Sequence, residues 1–519
     1  MNNSKTDWPV TIISGAFLLA FVLASLINKD AVGNLVNKYF GLSAEYFGAF
    51  WQVLLLLTFI VTIGLAVSRL GRVKLGKKDK PEISTFKWVA MILCTLLASG
   101  GVFWAASEPM YHFITTPPMF PDVEAGTTAS IQYALSQAFL DWGFSAWAIL
   151  GSLSAVVLMY AHYHKGMPLK PRTLLYPIFG KKIMEKSVLG TIVDVSCIIA
   201  VAAGTVGPIG FLGLQAAYGL NDIFGIPNTS LTQGILVVAI VIIASISAVT
   251  GINKGIQWLS KMNVWVTFIL MGAILILGPA AFIFDSFLGT MGFYVQEFFY
   301  MSLYRGDQAW LAWWTVFFWG WFIGYGPMMA IFIARISRGR TIRELAIAMA
   351  IIAPLVTNFW FTVVGGSGIF FEMNEPGVIS NALAEGGMPA AVMSIVNQLP
   401  LGFLIAIGFL LVTILFVATT ADSISYTMAA AVTGQSDPPA WLRVFWAVLV
   451  GALSLVLLNI GEDSVSSIQS FIVITAVPVS IILMPTIWLG PKVARIMAIE
   501  QGIISSGKVD QKDSKKKAS

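Results

Sequence analysis

Apolar runs, each long enough to match the roughly 20 residues a helix needs to cross hydrocarbon, recur along this chain from near Val10 to near Leu489. Nothing else in the sequence narrows the possible folds so far. A backbone surrounded by lipid has to satisfy its own hydrogen bonds, so runs of this kind form helices. A soluble chain of 519 residues would divide into several cores with polar surfaces between them. Here 57% of the residues are hydrophobic and 11% are charged, against about 25% charged in an ordinary soluble domain. The pattern predicts an all-α polytopic membrane protein. Its first run is followed by "NKD" at 28–30 rather than by small residues, so it is read as a span and not as a cleaved signal.

Twelve transmembrane helices are expected, near 10–28, 47–68, 86–107, 133–159, 189–213, 231–249, 263–284, 310–334, 346–366, 400–421, 444–459 and 467–489. Residues 285–308 read as an amphipathic helix lying on the membrane surface. Loop charges set the orientation. The 69–82 loop carries Arg69, Arg72, Lys74, Lys77, Lys78 and Lys80, and the 160–187 loop carries Lys165, Lys170, Arg172, Lys181, Lys182 and Lys186. Lys254 and Lys261 follow the sixth span, four arginines (Arg335, Arg338, Arg340, Arg343) end the eighth, and the tail reads "KVDQKDSKKKAS". Residues 109–130, 214–230, 367–399 and 459–466 hold no lysine or arginine. That alternation predicts a multi-pass protein of the inner (plasma) membrane with both termini cytoplasmic. The net charge of +5 sits in those loops and does not point to nucleic acid as a partner. Cys94 and Cys197 lie inside apolar runs, where a cysteine acts as a small hydrophobe.

Several spans are weakened in the middle. The third has Gly100 and Gly101 and then Glu108-Pro109, the fifth reads "GTVGPIGFLG", the eighth has Gly320, Gly324, Gly326 and Pro327, and the tenth ends in "FVATTADSIS". For one glycine cluster alone, close helix packing explains the composition. Clusters recurring five spans apart predict an inverted five-helix repeat, spans three to seven and eight to twelve, of the leucine-transporter type. The first helix of each repeat is expected to be broken around a midplane binding site.

Aromatic residues gather at these places. Trp142 and Trp147 stand in "FLDWGFSAWAIL" on span four, and Trp321, Phe322 and Tyr325 on span eight. Rings of this kind hold a desolvated quaternary ammonium with about 2 kcal/mol per good contact, without an opposing charge. Spacing alone leaves a cage and ordinary packing equally open. Asp141, directly before Trp142, is an acid inside a span and hence a functional candidate. It either supplies negative potential to a cationic solute or pairs with a neighbouring helix.

"ARISRGRTIREL" at 334–345, preceded by "WTVFFWGWFIGYGP", resembles the signature of the betaine/choline/carnitine transporter family. So do "STFKWVAMIL" and "FWAASEPMYHF" within 84–113, "HYHKGMPLKPRTLLYPIFG" at 162–180 and "FVATTADS" at 416–423. The resemblance covers nearly the whole chain. It implies secondary transport of a small-molecule solute bearing a quaternary ammonium across the lipid bilayer, often by a homotrimer. It also implies two peripheral N-terminal helices with a basic loop (1–85), a first repeat (86–284), the surface helix (285–308), an inverted second repeat (309–489) and a short basic tail (490–519).

Carried over by residue, Trp142 and Trp147 match the family's cage tryptophans on span four, and the third aromatic of that helix falls on Leu150. The family's "WWxSWSP" becomes "WFIGYGP", which keeps Trp321 and substitutes Phe322 and Tyr325 for tryptophans. Its "GMGIG" becomes "LLASG" at 96–100, and Asp141 stands where many relatives have histidine. Thr419 and Thr420 match the hydroxyls of the principal sodium site, whose remaining ligands would be main-chain carbonyls near Cys94, Leu97 and Phe416. The resemblance therefore implies sodium as the coupling ion and no bound cofactor. Of a second sodium site only Thr205 survives, Val201 replacing its partner, while Met328 and Met329 are similar to the sodium-independent exchangers. The solute is expected to be betaine-like; the alternatives are a sodium-independent exchanger of carnitine-like compounds and a relative specialised for a different amine or for a sulfonium or sulfonate zwitterion. Glu108 is read as part of a structural "EP" turn, and Asp422 as capping a helix or paired near the cytoplasmic side. His112, His162 and His164 are read as loop residues without a carboxylate grouping. No metal-ligand spacing or nucleophile–base pair suggests an enzyme.

Overall fold

A computed structural model describes residues 6–97, 101–250, 253–435, 438–460 and 464–505. Among these residues there is no strand, only one bridge, Lys74 to Thr341, and the rest is helix and connection. The first two helices are α1 (Trp8–Ile27) and α2 (Lys29–Val67), followed by α3 (Thr85–Leu97) and α4 (Gly101–Ile114). Next come α5 (Ile131–Trp142), α6 (Phe144–Ile149), α7 (Leu153–Met159), α8 (Val188–Phe224), α9 (Ser230–Thr250), α10 (Asn253–Leu277) and α11 (Ala280–Leu303). The second half holds α12 (Gln308–Trp313), α13 (Thr315–Ile336), α14 (Ile342–Ile347), α15 (Ala353–Phe361) and α16 (Ser367–Asn374). It closes with α17 (Gly402–Thr433), α18 (Ala440–Leu457), α19 (Ser464–Leu483) and α20 (Thr486–Glu500).

Helix starts follow from local chemistry. Asn28 accepts the Ala31 N–H at 3.0 Å to open α2, and Ser187 accepts that of Gly190 at 3.1 Å to open α8. Thr341 and Glu344 form a reciprocal capping box at α14. Within the spans, hydroxyls such as those of Ser14, Thr58 and Thr62 donate to the carbonyl four residues back, because lipid offers no partner.

Ten helical segments among the described residues are long and apolar enough to cross a membrane. The pair 262–277 and 280–303 makes eleven if taken as one crossing bent by 105°. The expected third crossing is divided between α3 and α4, and Ala98, Ser99 and Gly100 lie outside the described residues. The second helix begins at Lys29, well before the expected residue 47, because residues 29–46 continue the same helical register. Residues 490–500, read as tail, are helical and bury Val493, Ala494, Met497 and Ala498. The expected break at Gly320–Pro327 is absent: α13 runs unbroken from Thr315 to Ile336, and the chain turns instead at Trp314. Two of those glycines serve close packing, since a Cβ on Gly320 would meet the Trp51 ring at 2.7 Å and one on Gly326 would meet Leu483 at 2.8 Å. Helix α8 likewise passes Pro208 without interruption.

The crossing spanning 128–164 is wholly buried in its most apolar stretch, and α8 and the 308–336 segment nearly so, whereas α1 and α9 show most of theirs to the surroundings. Helix α13 packs on α5, α6 and α7, and α8 joins it to α17 and α19. The basic segments converge on one face. Gly339 N–H donates to Leu75 O and Leu75 N–H to Arg340 O, both at 2.8 Å, and Arg340 reaches Thr85, Ile83 and Glu344. Lys170 and Arg172 reach Asp7, His164 meets Glu500 at 2.7 Å, and Gln501 bonds to Lys74. The four arginines of the eighth span therefore end a helix at a face built from the other basic loops.

Candidate functional site

The expected fourth crossing is interrupted twice. Helix α5 ends at Trp142, α6 begins at Phe144, and a second irregular stretch covers Leu150 to Ser152. Any side chain at Gly143 would collide with the Phe139 carbonyl and crowd the Tyr294 hydroxyl, so the break requires glycine there. Irregular backbone at this depth is tolerated because the segment is enclosed by protein.

Around that break the rings assemble. Trp142 meets Trp321 edge-on with centroids 6.0 Å apart, and Phe322 lies 5.5 Å from it in the same T-shaped manner. Phe318 and Phe361 close its other sides, both at 5.2 Å. Trp321 is held by its indole N–H donating to Gly204 O at 3.0 Å and by Phe211 at 5.8 Å. Glycines at 204 and 207 make room for span eight, since a Cβ on either would press the Tyr325 or Trp321 ring at 2.8 or 3.1 Å. Trp147, beyond the break, donates instead to Thr357 Oγ1 of α15 at 3.0 Å. Tyr325 turns toward α8, with its hydroxyl 3.4 Å from Thr205 Oγ1. Trp142, Trp147 and Trp321 are all buried inside the bundle, and Leu150 is buried with them. The structure thus brings Trp142, Trp321 and Phe322 together and gives Trp147 and Tyr325 separate partners.

Asp141 has a partner outside the rings, Gln137. Its Oδ2 accepts the Gln137 amide at 3.0 Å, and the same amide nitrogen donates to Thr315 Oγ1 at 2.9 Å. Beside it stands Glu108, whose Oε2 accepts the Trp142 indole N–H at 2.7 Å. His112, one turn further along α4, lies 3.9 Å from Glu108 Oε1. Ligating atoms of Glu108, His112 and Asp141 all fall within 4.8 Å of one another, and all three residues are fully buried. This corrects the reading of His112 as an ungrouped loop residue and of Glu108 as a turn. Helix α4 continues to Ile114, carrying Pro109 in its interior, so the spacing of four places both side chains on one face. That spacing, with an acid at 141, was the signal available in the sequence. His164 also has a carboxylate partner, Glu500.

The residues matched to a sodium site have simpler surroundings. Thr419 Oγ1 donates to Leu415 O at 2.9 Å and Phe416 O at 3.1 Å on its own helix. Thr205 does the same to Val201 O at 2.6 Å. Cys94 and Leu97 lie in the last turn of α3, next to undescribed residues, and their side chains are outside the described part. Asp422 is paired as expected, with Arg443 at 3.0 Å and Ser247 at 3.1 Å.

A polytopic helical bundle with aromatic rings and acids enclosed at its centre is the architecture of a solute carrier. The family model described as BCCT, betaine/carnitine/choline family transporter, matches residues 9–498. The chain belongs to this family and is a transporter, not an enzyme. It is 52% identical to Glycine betaine transporter 2 of Vibrio parahaemolyticus serotype O3:K6 (strain RIMD 2210633), over 96% of this chain and 92% of that one. Glycine betaine transporter 1 of the same strain is 32% identical over 92% and 91%. The Ectoine/hydroxyectoine transporter of Virgibacillus pantothenticus is 31% identical over 93% and 96%.

Proposed function

We propose that the protein imports a betaine-like zwitterion, glycine betaine first among the solutes to test, by sodium symport. The observation that carries this reading is the meeting of Trp142, Trp321 and Phe322 at the break in the fourth crossing. Three ring faces or edges converging there can take a trimethylammonium group once the indoles rotate, each good face contributing about 2 kcal/mol in a desolvated site. Trp147 and Tyr325 would close on the solute from the two sides. Asp141, behind Trp142, acts through its potential rather than by contact. The likeness to named glycine betaine carriers supports this choice over a carnitine exchanger.

Sodium enters this reading as co-transported cargo. A threonine that donates its proton to its own helix keeps its oxygen lone pairs for a cation, and Thr419 does so. With Thr420 and carbonyls of Phe416, Cys94 and Leu97 it would make the small oxygen cage that sodium prefers. The proposed frame is the inverted repeat over 86–284 and 309–489, behind peripheral helices in 1–85, with the 285–308 helix on the membrane surface, a basic tail within 490–519 and a trimeric assembly. The proposed orientation puts the basic face in the cytoplasm. The test is uptake of radiolabelled glycine betaine into proteoliposomes under an inward sodium gradient, with ectoine, choline and carnitine as competitors. Uptake driven by sodium and blocked first by glycine betaine is expected. Uptake that is unchanged when potassium replaces sodium would rule out the coupling, and competition won by carnitine would rule out the solute.

A further inference from the structure

Asp141 does not stand alone behind Trp142. Glu108 on α4 and Asp141 on α5 are both inaccessible to solvent, and their ligating oxygens lie within 4.8 Å of each other. Two ionised carboxylates at that distance repel strongly where no water screens them. The common remedy is an arginine or lysine, and among the described residues neither acid makes such a pair. The groups that do face them are His112 on α4, Gln137 and Trp142 on α5, Thr315 on α13 by way of Gln137, and Tyr294 on α11, whose hydroxyl adjoins Gly143. None of them carries a fixed positive charge.

Hydrogen bonding leaves half of each carboxyl open. Glu108 Oε2 is taken by the Trp142 indole and Asp141 Oδ2 by the Gln137 amide. Glu108 Oε1 and Asp141 Oδ1 are buried with no protein hydrogen-bond partner, as are both ring nitrogens of His112. Two buried carboxyls this close, each with an oxygen to which no protein group donates, call for one proton held within the pair. That proton would bind from water, with no other reactant, and lower the net charge of the pair from two to one.

We propose that Glu108 and Asp141 form a one-proton site that holds Trp142 in place, so that the solute binds to the protonated form of the protein. The inference rests on the solute lying against Trp142. Loss of the proton leaves two negative charges on adjacent helices, which part or draw in water. Trp142 then loses its fixed anchor at the residue where the helix is already broken.

The test uses purified full-length protein in detergent. Glycine betaine affinity is measured by calorimetry, and the melting temperature without solute is followed in parallel, from about pH 5.5 to about pH 9. Once the pair ionises a second time, affinity should fall by up to about tenfold per pH unit, the slope of a single linked proton. The melting temperature without solute should fall as the pH rises toward that ionisation, where the folded protein still holds a proton that the unfolded chain has released, and level off above it. Asp141→Asn should give an affinity and a melting temperature that are level across this range, and Glu108→Gln, which keeps an acceptor for Trp142, should do the same. A purely packing role would instead lower affinity equally at every pH and leave the slope in place, and that result overturns the proposal. Flat wild-type profiles in both measurements also overturn it. So does a slope that a chelator abolishes, because a divalent cation would then be the occupant. If glycine betaine fails to bind at any pH while Asp141→Asn still flattens the melting profile, the proton site stands and the solute assignment falls.

Discussion

Acids are buried in this protein in two different ways. Near the basic face, Asp194 accepts both the main-chain N–H and the Nε–H of Arg172, at 2.8 and 2.7 Å, and Arg172 reaches on to Asp7 at 3.1 Å. Asp422 is matched in the same way by Arg443. Further along the crossings, past the aromatic cluster, Glu108 and Asp141 have one another, a histidine and neutral donors, with no guanidinium. An acid with an arginine at hydrogen-bond distance is electrostatically complete and ties segments together. An acid pair without one depends on what else occupies the site, and it adjoins the tryptophan that lines the proposed solute position. Charge compensation separates scaffold from machinery here more cleanly than burial does, since both kinds are buried.

The largest effect should come from breaking a complete pair. Arg172→Ala or Arg443→Ala leaves a buried carboxylate alone, which costs about 3–5 kcal/mol. Chemical or thermal unfolding in detergent would show it, and a variant of wild-type stability would place these arginines outside the scaffold. Next, in binding rather than stability, Trp142→Ala and Trp321→Ala should each weaken glycine betaine affinity by about 2 kcal/mol, or roughly thirtyfold, while the emptied space around each buried ring lowers the unfolding stability as well. Phenylalanine at either position should recover most of that loss, because a ring face remains. Equal losses for alanine and phenylalanine would point to the indole hydrogen bonds to Glu108 or Gly204 instead. Smaller again, Thr419→Ala should raise the sodium concentration for half-maximal uptake by about tenfold, about 1.4 kcal/mol, if its oxygen is a ligand. It should do nothing measurable if the hydroxyl only bonds back to Leu415 and Phe416. The smallest effect belongs to the partly exposed pair Arg338–Glu82 at 3.1 Å, whose removal should change stability by under about 1 kcal/mol.

Much of the molecule was legible beforehand because it depends on local chemistry. Helices over the apolar runs, the convergence of basic loops on one face and the pairing of Asp422 follow from hydropathy and charge. The misreadings share one cause. Glycine content at 320–327 looked like a broken helix, yet in α13 the missing side chains admit Trp51 and Leu483 from other helices. The true break at Gly143 has a single glycine as its local mark, and what enforces it is the position of the Phe139 carbonyl and Tyr294. The reading of Glu108 as a turn and of His112 as a loop residue fails because the helix carries Pro109 in its interior and runs on to Ile114.

Read alone, the amino-acid order settles that this chain lives in a membrane as a helical bundle, since continuous apolar runs of about 20 residues satisfy their polar backbone in lipid by coiling into helices. Which crossing is interrupted, which tryptophans share a cluster and which acids lack a cation depend on side chains brought together from far apart in the chain, 34 residues for Trp142 with Glu108 and 210 for Trp147 with Thr357. Those distances are set by packing between helices. No local preference encodes them.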